Sequence, residues 1–308
     1  MKLAFVFPGQ GSQAIGMLNA FADSDVVRQT LAEASEALGF DLAAMIAGGP
    51  DEALNATVNT QPAMLAAGVA VYRAWLAAGG RKPDYLAGHS LGEYSALVAA
   101  DALDFKDAVR LVRLRAEAMQ AAVPAGQGGM AAILGLDDDA IRAACAEAAQ
   151  GEVVEAVNFN TPGQVVIAGS KAAVDRACEA CTARGAKRAL LLPVSVPSHC
   201  ALMKPAAVQL EAAMAGIVLR APAIPVIHNA DVTAWSHDHE IKGALARQLY
   251  SPVRWVETVQ LLAQYGVTVV AECGPGKVLA GMTKRINGEL SGMALTEPAS
   301  FDKLKAAL

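Results

Sequence analysis

Residues 85–103 read YLAGHSLGEYSALVAADAL, and this stretch decides the interpretation of the chain. Its first four residues form an apolar run typical of a buried strand, and the pattern from Leu91 onward is typical of a helix. Between them lies Gly88-His89-Ser90-Leu91-Gly92, a G-x-S-x-G motif in the strand–turn–helix context of a nucleophile elbow. The alternative is an ordinary glycine-rich turn, since the bare motif also occurs by chance. The context favours Ser90 as a nucleophile.

The rest of the chain repeats this strand-then-helix rhythm. Strand-like runs at Leu3–Phe7, Pro225–His228 and Val267–Glu272 are separated by helical patterns, which predicts an α/β fold with a parallel sheet. The middle of the chain instead shows the order β-α-β-β-α-β, typical of a ferredoxin-like unit. We therefore predict a discontinuous α/β domain, residues 1–124 and 198–308, with an inserted ferredoxin-like subdomain at 125–197.

Composition excludes several classes of protein. The chain has 308 residues, of which 54% are hydrophobic and 18% charged, enough to bury a sizeable core. The net charge of −5 argues against a nucleic-acid-binding role. The apolar stretch Ala63–Gly80 has Arg73 at mid-span and Pro62 where its first helical turn is expected, so it indicates a buried helix rather than a membrane span. Without a recognisable signal peptide, a cytoplasmic location is expected.

A nucleophilic serine requires a general base, and the chain has five histidines. His89 is adjacent to Ser90, but neighbouring side chains diverge on a sharp elbow. His228 lies in a short apolar strand, as a core histidine would, and the polar stretch with His237 and His239 lacks a third metal ligand. His199 lies where the inserted segment returns to the main domain, and clefts between domains often form sites. His199 is therefore the predicted base, although the sequence offers it no convincing acidic partner.

One arginine lies on the apolar face of a predicted amphipathic helix. The pattern over Phe105–Val123 places Arg115 in the middle of the apolar face, beside residues such as Leu111 and Met119. A buried guanidinium without a partner is costly, so Arg115 needs an anion. That anion is either an internal carboxylate in a structural salt bridge or the carboxylate of a substrate. Separately, the loop Gly9-Gln10-Gly11 follows the first strand and offers backbone N–H groups suited to an oxyanion hole.

Seven ordered blocks of sequence resemble a known family. They are FPGQGSQ at 7–13, TQPA at 60–63, GHSLGEYSAL at 88–97, NFNTPGQVVIAG at 158–169, PVSVPSHCALMKPA at 193–206, QLYSPVRW at 248–255 and GPGKVL at 274–279. Together they resemble the malonyl-CoA:acyl carrier protein transacylases of bacterial type II fatty acid synthesis, over essentially the whole chain. The resemblance implies an α/β-hydrolase-like core with a ferredoxin-like insertion.

The resemblance also implies roles for individual residues. Ser90 corresponds to the acyl-accepting nucleophile, His199 to its general base and acid, and Arg115 to the arginine that binds the free malonyl carboxylate. His228 stands where we expected another polar residue such as Asn or Ser, which weakens its interpretation as a mere core residue.

Three further residues correspond to backbone groups of the family's site. The amides of Gln10 and Leu91 match the oxyanion hole. Gln248 matches the position whose main-chain carbonyl orients the histidine, in place of an acidic third triad member.

The activity implied is transfer of a malonyl group from malonyl-CoA to the phosphopantetheine thiol of acyl carrier protein, with no metal or other cofactor. An acidic carrier would need a local basic patch, for which the sequence offers Lys187-Arg188, Lys277 and Lys284-Arg285. The alternatives are a serine thioesterase or esterase that shares the elbow, and a carrier-binding scaffold with an inactive site.

Overall fold

Two β-sheets organise the computed structural model, which describes residues 1–194 and 196–308. Ser195, in the block at 193–206, lies outside the described residues. The strands are Lys2–Phe7 (β1), Tyr85–Gly88 (β2), Gly128–Leu134 (β3), Val154–Thr161 (β4), Gln164–Ser170 (β5), Arg188–Leu191 (β6), Val226–Ile227 (β7), Val267–Cys273 (β8) and Ser291–Leu295 (β9).

The first sheet is parallel, with the strand order β7-β2-β1-β8-β9. Along β1, Leu3, Phe5 and Phe7 pack into the larger apolar core, whereas Ala4 and Val6 pack into a second core on the opposite face. Alternate side chains of a strand point to opposite faces, so the nearly uninterrupted apolar run of β1 reflects burial on both sides.

The second sheet is antiparallel, with the order β4-β5-β3-β6. Two helices pack against this sheet, and the apolar core between the sheet and the helices contains Ile133, Ile167 and Val174. The sheet is attached to the rest of the chain through β4, since the amides of Phe159 and Val253 donate to the carbonyls of Val253 and Val157 at 3.0 and 2.8 Å.

The helices fill the connections between strands. They are Asp25–Leu38 (α1), Leu42–Gly48 (α2), Asp51–Asn55 (α3), Thr57–Ala77 (α4), Gly92–Ala99 (α5), Phe105–Ala122 (α6), Asp138–Ala149 (α7), Lys171–Ala183 (α8), Lys204–Met214 (α9), Asp238–Leu249 (α10), Trp255–Gln264 (α11), Val278–Ile286 (α12) and Pro298–Ala306 (α13). In the described ranges, none of them is long and apolar enough to cross a membrane.

The start of α4 differs from the sequence-based prediction. We expected Pro62 in the first turn, but α4 begins at Thr57 and Pro62 lies inside it. A proline there cannot donate to the carbonyl four residues earlier. That carbonyl belongs to Val58, and it accepts instead from Nη1 of Arg113 at 3.1 Å. The tertiary contact thus offsets the lost helical hydrogen bond, which is why the helix extends through the proline.

The coarse prediction of the fold is confirmed, since the protein is a mixed α/β structure with one parallel and one antiparallel sheet. The predicted strands and helices of the middle segment occur as β3, α7, β4, β5, α8 and β6. The edge strand β9 was not predicted. Its residues, Ser291–Leu295, are largely exposed or half-buried, and only the last three form an apolar run.

Candidate active site

Ser90 lies on a tight turn between β2 and α5, as the sequence predicts. Its φ of 51° is in the left-handed region, which a non-glycine residue adopts only when its surroundings enforce it. A Cβ on Gly88 would lie 1.9 Å from the backbone of Gly92, and a Cβ on Gly92 would lie 2.0 Å from the carbonyl oxygen of Phe7. Both glycines of the motif are therefore required by close backbone contacts, and together they place Ser90 at the end of the parallel sheet.

The side chain of Asn229 holds this turn from both ends. Its Oδ1 accepts from the amide of Ser90 at 2.7 Å, and its Nδ2 donates to the carbonyl of Gly88 at 2.6 Å. Asn229 is fully buried. Since these bonds satisfy backbone groups on both sides of His89, Asn229 stabilises the conformation that presents the Ser90 hydroxyl. No local sequence pattern marks Asn229 as a site residue.

His199 is placed against Ser90. Its Nε2 lies 2.8 Å from Ser90 Oγ, and its Nδ1 lies 2.7 Å from the main-chain carbonyl of Gln248. A carbonyl oxygen only accepts, so the proton is on Nδ1 and the Nε2 lone pair faces the serine hydroxyl. The backbone of His199 has a φ of 68° and donates to the carbonyl of Leu249 at 3.0 Å, which fixes the ring's position.

The pKa of His199 is lowered to about 3, mainly because the ring is buried and secondarily because Arg115 is a nearby cation. The hydrogen bond to the Gln248 carbonyl acts in the opposite direction. A neutral imidazole with a free Nε2 lone pair is the form that can accept the hydroxyl proton.

Arg115 reaches the same hydroxyl from α6. The side chain is 1% exposed, and its Nη2 lies 3.2 Å from Ser90 Oγ and 3.0 Å from Gln248 Oε1. Its Nη1 donates to Gln61 Oε1 at 2.7 Å. Within the described ranges it forms no salt bridge with a carboxylate. Of the two sequence-based alternatives, the structural salt bridge is therefore the one without support.

Burial also lowers the pKa of Arg115, and the nearby Tyr94 and Glu93 oppose that shift. The guanidinium lies over the Tyr94 ring at 5.5 Å, a cation–π arrangement. Among residues 1–194 and 196–308, the acceptors that contact Arg115 are all neutral, so these residues provide no direct counter-ion for the buried cation adjacent to Ser90. Such a site is suited to an anionic group that arrives with the substrate.

A cavity of about 150 Å³ opens above Ser90, between the elbow and the antiparallel sheet. Gln10 and Leu91 line it, as do Met130 and Asn158 of the second sheet. The amides of Gln10 and Leu91 donate to no acceptor in the part of the chain that is described. Two such N–H groups beside a serine hydroxyl are suited to stabilise an oxyanion.

The other four histidines of the chain lie elsewhere. The Nε2 of His89 lies 2.8 Å from Asn160 Oδ1, consistent with side chains diverging at the elbow. His237 is at the N-terminus of α10, with His239 in its first turn. His228 is completely buried and its Nδ1 lies 2.6 Å from Glu93 Oε1, so it belongs to a polar network and not to a purely apolar core.

Taken together, the elbow serine, a histidine oriented by a carbonyl and two free amides define an acyl-transfer site of the serine–histidine class. Comparisons with known proteins agree. A family model described as the acyl transferase domain matches residues 4–294. The malonyl CoA-acyl carrier protein transacylase of Escherichia coli K12 is 59% identical over 301 residues, which is 97% of each protein.

Solved structures give the same result. The acyl-carrier-protein S-malonyltransferase of Burkholderia pseudomallei 1710b is 62% identical with a TM-score of 0.97, covering 99% of both chains. A malonyl-transacylase in complex with its type II PKS acyl-carrier protein is 55% identical with a TM-score of 0.99, covering 100% of both chains. The chain belongs to the acyl transferase family and, within it, to the malonyl CoA-acyl carrier protein transacylases.

Proposed function

We propose that this protein transfers a malonyl group from malonyl-CoA to the phosphopantetheine thiol of acyl carrier protein, through a malonyl ester on Ser90. The observation that carries the proposal is the position of Ser90 Oγ, 2.8 Å from a histidine nitrogen and 3.2 Å from a buried arginine. The first contact provides a base, and the second provides a partner for the free carboxylate that distinguishes malonyl from acetyl. The reaction supplies fatty acid elongation and needs no metal or redox cofactor.

The first half-reaction forms the acyl-enzyme. His199 Nε2 takes the hydroxyl proton while Ser90 Oγ attacks the thioester carbonyl, and the amides of Gln10 and Leu91 stabilise the resulting oxyanion. When the tetrahedral intermediate breaks down, coenzyme A leaves as a thiol and carries away the proton from Nε2. Gln248 holds the imidazole through its main-chain carbonyl, so this reaction uses no acidic third residue.

The second half-reaction reverses these steps with a different thiol. Nε2 accepts the proton of the carrier's phosphopantetheine thiol as its sulfur attacks the ester, and the proton returns to Ser90 Oγ when the oxygen leaves. Exposed basic residues are the proposed contacts for an acidic carrier, namely Lys187, Arg188, Lys277, Lys284 and Arg285. The complex of the related malonyl-transacylase with its carrier supports a partner of this kind.

Arg115 also couples substrate binding to proton transfer. The charge of Arg115 helps to lower the pKa of His199. A malonyl carboxylate bound to the guanidinium would neutralise that charge, so the pKa of His199 would rise when the correct substrate is present. An acetyl group has no carboxylate. The charge of Arg115 would therefore not be neutralised, and the pKa of His199 would stay low.

The finer architecture is part of the proposal. We place the catalytic domain at 1–124 and 198–308, with an α/β-hydrolase-like parallel sheet, and the ferredoxin-like subdomain at 125–197. The β-α-β-β-α-β order of the antiparallel sheet supports the insertion, as does its separate apolar core. The cavity above Ser90 would then lie between these two units. A cytoplasmic location fits an enzyme that uses coenzyme A esters.

Mass spectrometry of the intact protein tests the function. After mixing with malonyl-CoA we expect a gain of one malonyl unit, absent in Ser90→Ala, followed by rapid discharge when holo-acyl carrier protein is added. A thioesterase would instead discharge to water at a similar rate without the carrier. A carrier-binding scaffold would gain no mass, which would contradict the proposal.

A further inference from the structure

Glu93 is a buried carboxylate to which the mechanism above assigns no role. It is the first acidic residue of α5, it is fully buried, and its two oxygens contact three different donors. Oε1 lies 2.6 Å from His228 Nδ1, and Oε2 accepts from the amide of Asn229 at 2.9 Å and from Gln248 Nε2 at 3.0 Å. An ionised carboxylate is expected to be paired when it is buried, and here these hydrogen bonds provide the pairing.

The contact with Gln248 determines which way its side-chain amide points. A carboxylate and a carbonyl accept but do not donate, and a guanidinium donates but does not accept. Gln248 Nε2 must therefore face Glu93 and the carbonyl of Ser90, which lies 2.8 Å away. Its Oε1 is then left for Arg115 Nη2 at 3.0 Å. The reverse orientation would place donors against donors at Arg115 and acceptors against acceptors at Ser90.

Gln248 thus connects Glu93 to both halves of the active site. Its side chain accepts from Arg115, and its main-chain carbonyl accepts from His199 at 2.7 Å. A side chain held at both ends also restricts the backbone that carries it. The negative charge of Glu93 additionally opposes the effect of burial on the pKa of Arg115, so it stabilises the charged form of the guanidinium.

We propose that Glu93 is a positioning residue that acts through Gln248 to aim Arg115 at the malonyl carboxylate and to hold His199 against Ser90. His228 and the amide of Asn229 hold the carboxylate in place. This inference rests on the proposed malonyl transfer, because malonyl selectivity is its readout. It assigns selectivity to a residue that does not touch the substrate.

The test compares Glu93→Met with the matched control Glu272→Met. Methionine is unbranched, and it removes the acceptor without adding a donor. Glu272 is another fully buried glutamate, but its Oε2 accepts from the amide of Ala280 at the start of α12. In both variants we measure the rate constants for acylation of Ser90 by malonyl-CoA and by acetyl-CoA, per folded active site.

The two substrates separate the two effects. The rate constant for acetylation reports the alignment of His199. The ratio of the malonylation to the acetylation rate constant reports the alignment of Arg115, because misalignment of His199 lowers both rate constants and cancels in their ratio. For Glu93→Met we expect the ratio to fall at least tenfold, with a smaller fall in the acetyl rate. For Glu272→Met we expect a lower melting temperature and an unchanged ratio. An unchanged or raised ratio in Glu93→Met would overturn the proposal.

A second variant keeps the proposal testable if Glu93→Met does not fold. Gln248→Met removes the side-chain amide and keeps the main-chain carbonyl that faces His199, so it should lower the ratio to a similar extent. An unchanged ratio in Gln248→Met would overturn the proposal without the Glu93 variant. Where Glu93→Met does fold, it should have little further effect on the ratio in the double variant, because both substitutions break one pathway. Independent, multiplicative effects would overturn the proposal. Failure of the wild-type enzyme to acquire malonyl would instead contradict the proposed function itself.

Discussion

Arg115 Nη2 lies 3.2 Å from Ser90 Oγ, so the buried cation contacts the atom that is proposed to carry the acyl group. In a malonyl ester a single methylene carbon separates the ester carbonyl carbon from the carbon of the free carboxylate. A carboxylate on so short a chain stays close to the serine oxygen, within reach of the guanidinium. The distance therefore links the proposed selectivity for a dicarboxylic acyl group directly to the position of Ser90 Oγ.

Replacing Arg115 with alanine should abolish most of the preference for malonyl. A charge-assisted hydrogen bond contributes up to about 3 kcal/mol, and bidentate binding adds to it, so the malonyl-to-acetyl ratio should fall by about 100-fold or more. Competition between the two coenzyme A esters, read as the masses of the acylated enzyme, measures this ratio. A variant that keeps the wild-type preference would refute the assignment of Arg115.

Arg113→Ala is the matched control for that experiment. Arg113 lies on the same helix, and its guanidinium binds the Val58 carbonyl left free by Pro62, together with Asn59. Its loss should reduce the free energy of unfolding by about 1 kcal/mol and leave the acyl preference unchanged. A change of preference here would show that the selectivity assay responds to general damage in α6.

The rate of Ser90 acylation should depend little on pH between 8 and 5. The pKa of His199 is lowered from 6.5 to about 3, so the ring takes up a proton only well below pH 5 and remains a base throughout this range. Rapid-quench mass spectrometry with malonyl-CoA well below saturation measures the second-order rate constant at each pH, which reports the pKa of the free enzyme and not that of the malonyl complex. A loss of rate centred near pH 6.5 would contradict the burial and the neighbouring cation as the causes of the shift.

The sequence predicted the parts of this site that have local signals. The elbow has a glycine spacing, Arg115 breaks a helical periodicity, and His199 follows from its place at a seam. The resemblance to a family then provided Gln10, Leu91 and Gln248 as expected site residues. Each of these predictions depends on a short pattern or on matched blocks of sequence.

The surrounding polar network could not be predicted in the same way. Glu93 and His228 are 135 residues apart, and Gln61 and Arg115 are 54 apart. In the local sequence, Glu93 is an ordinary acidic residue of a helix's first turn. Gln61 is a neutral amide that precedes a proline. Only the folded chain brings them together, since no periodicity marks a neutral amide as the partner of a buried cation.

Asn229→Ala should lower the free energy of unfolding and also slow the acylation of Ser90. The substitution leaves the Ser90 amide and the Gly88 carbonyl without their partners at 2.7 and 2.6 Å. Each unsatisfied buried group costs about 1–3 kcal/mol, so we expect a loss of about 2–4 kcal/mol in the free energy of unfolding, measured by urea denaturation. A loss below 1 kcal/mol would mean that the turn holds its shape without this clamp.

The elbow glycines should tolerate no side chain, which distinguishes a required close contact from a merely flexible turn. In Gly88→Ala the new methyl group would lie 1.9 Å from the Gly92 backbone, and that backbone is itself packed against Phe7. The start of α5 would have to move away from β1, shifting the Leu91 amide and Ser90 together.

At Gly129 in β3, by contrast, the nearest atom to an added Cβ is 3.7 Å away. We therefore expect Gly88→Ala to give inactive or unfolded protein, and Gly129→Ala to change the free energy of unfolding by no more than about 1 kcal/mol. Circular dichroism and Ser90 malonylation of both variants measure this difference, and an active Gly88→Ala enzyme would contradict the close-packed elbow.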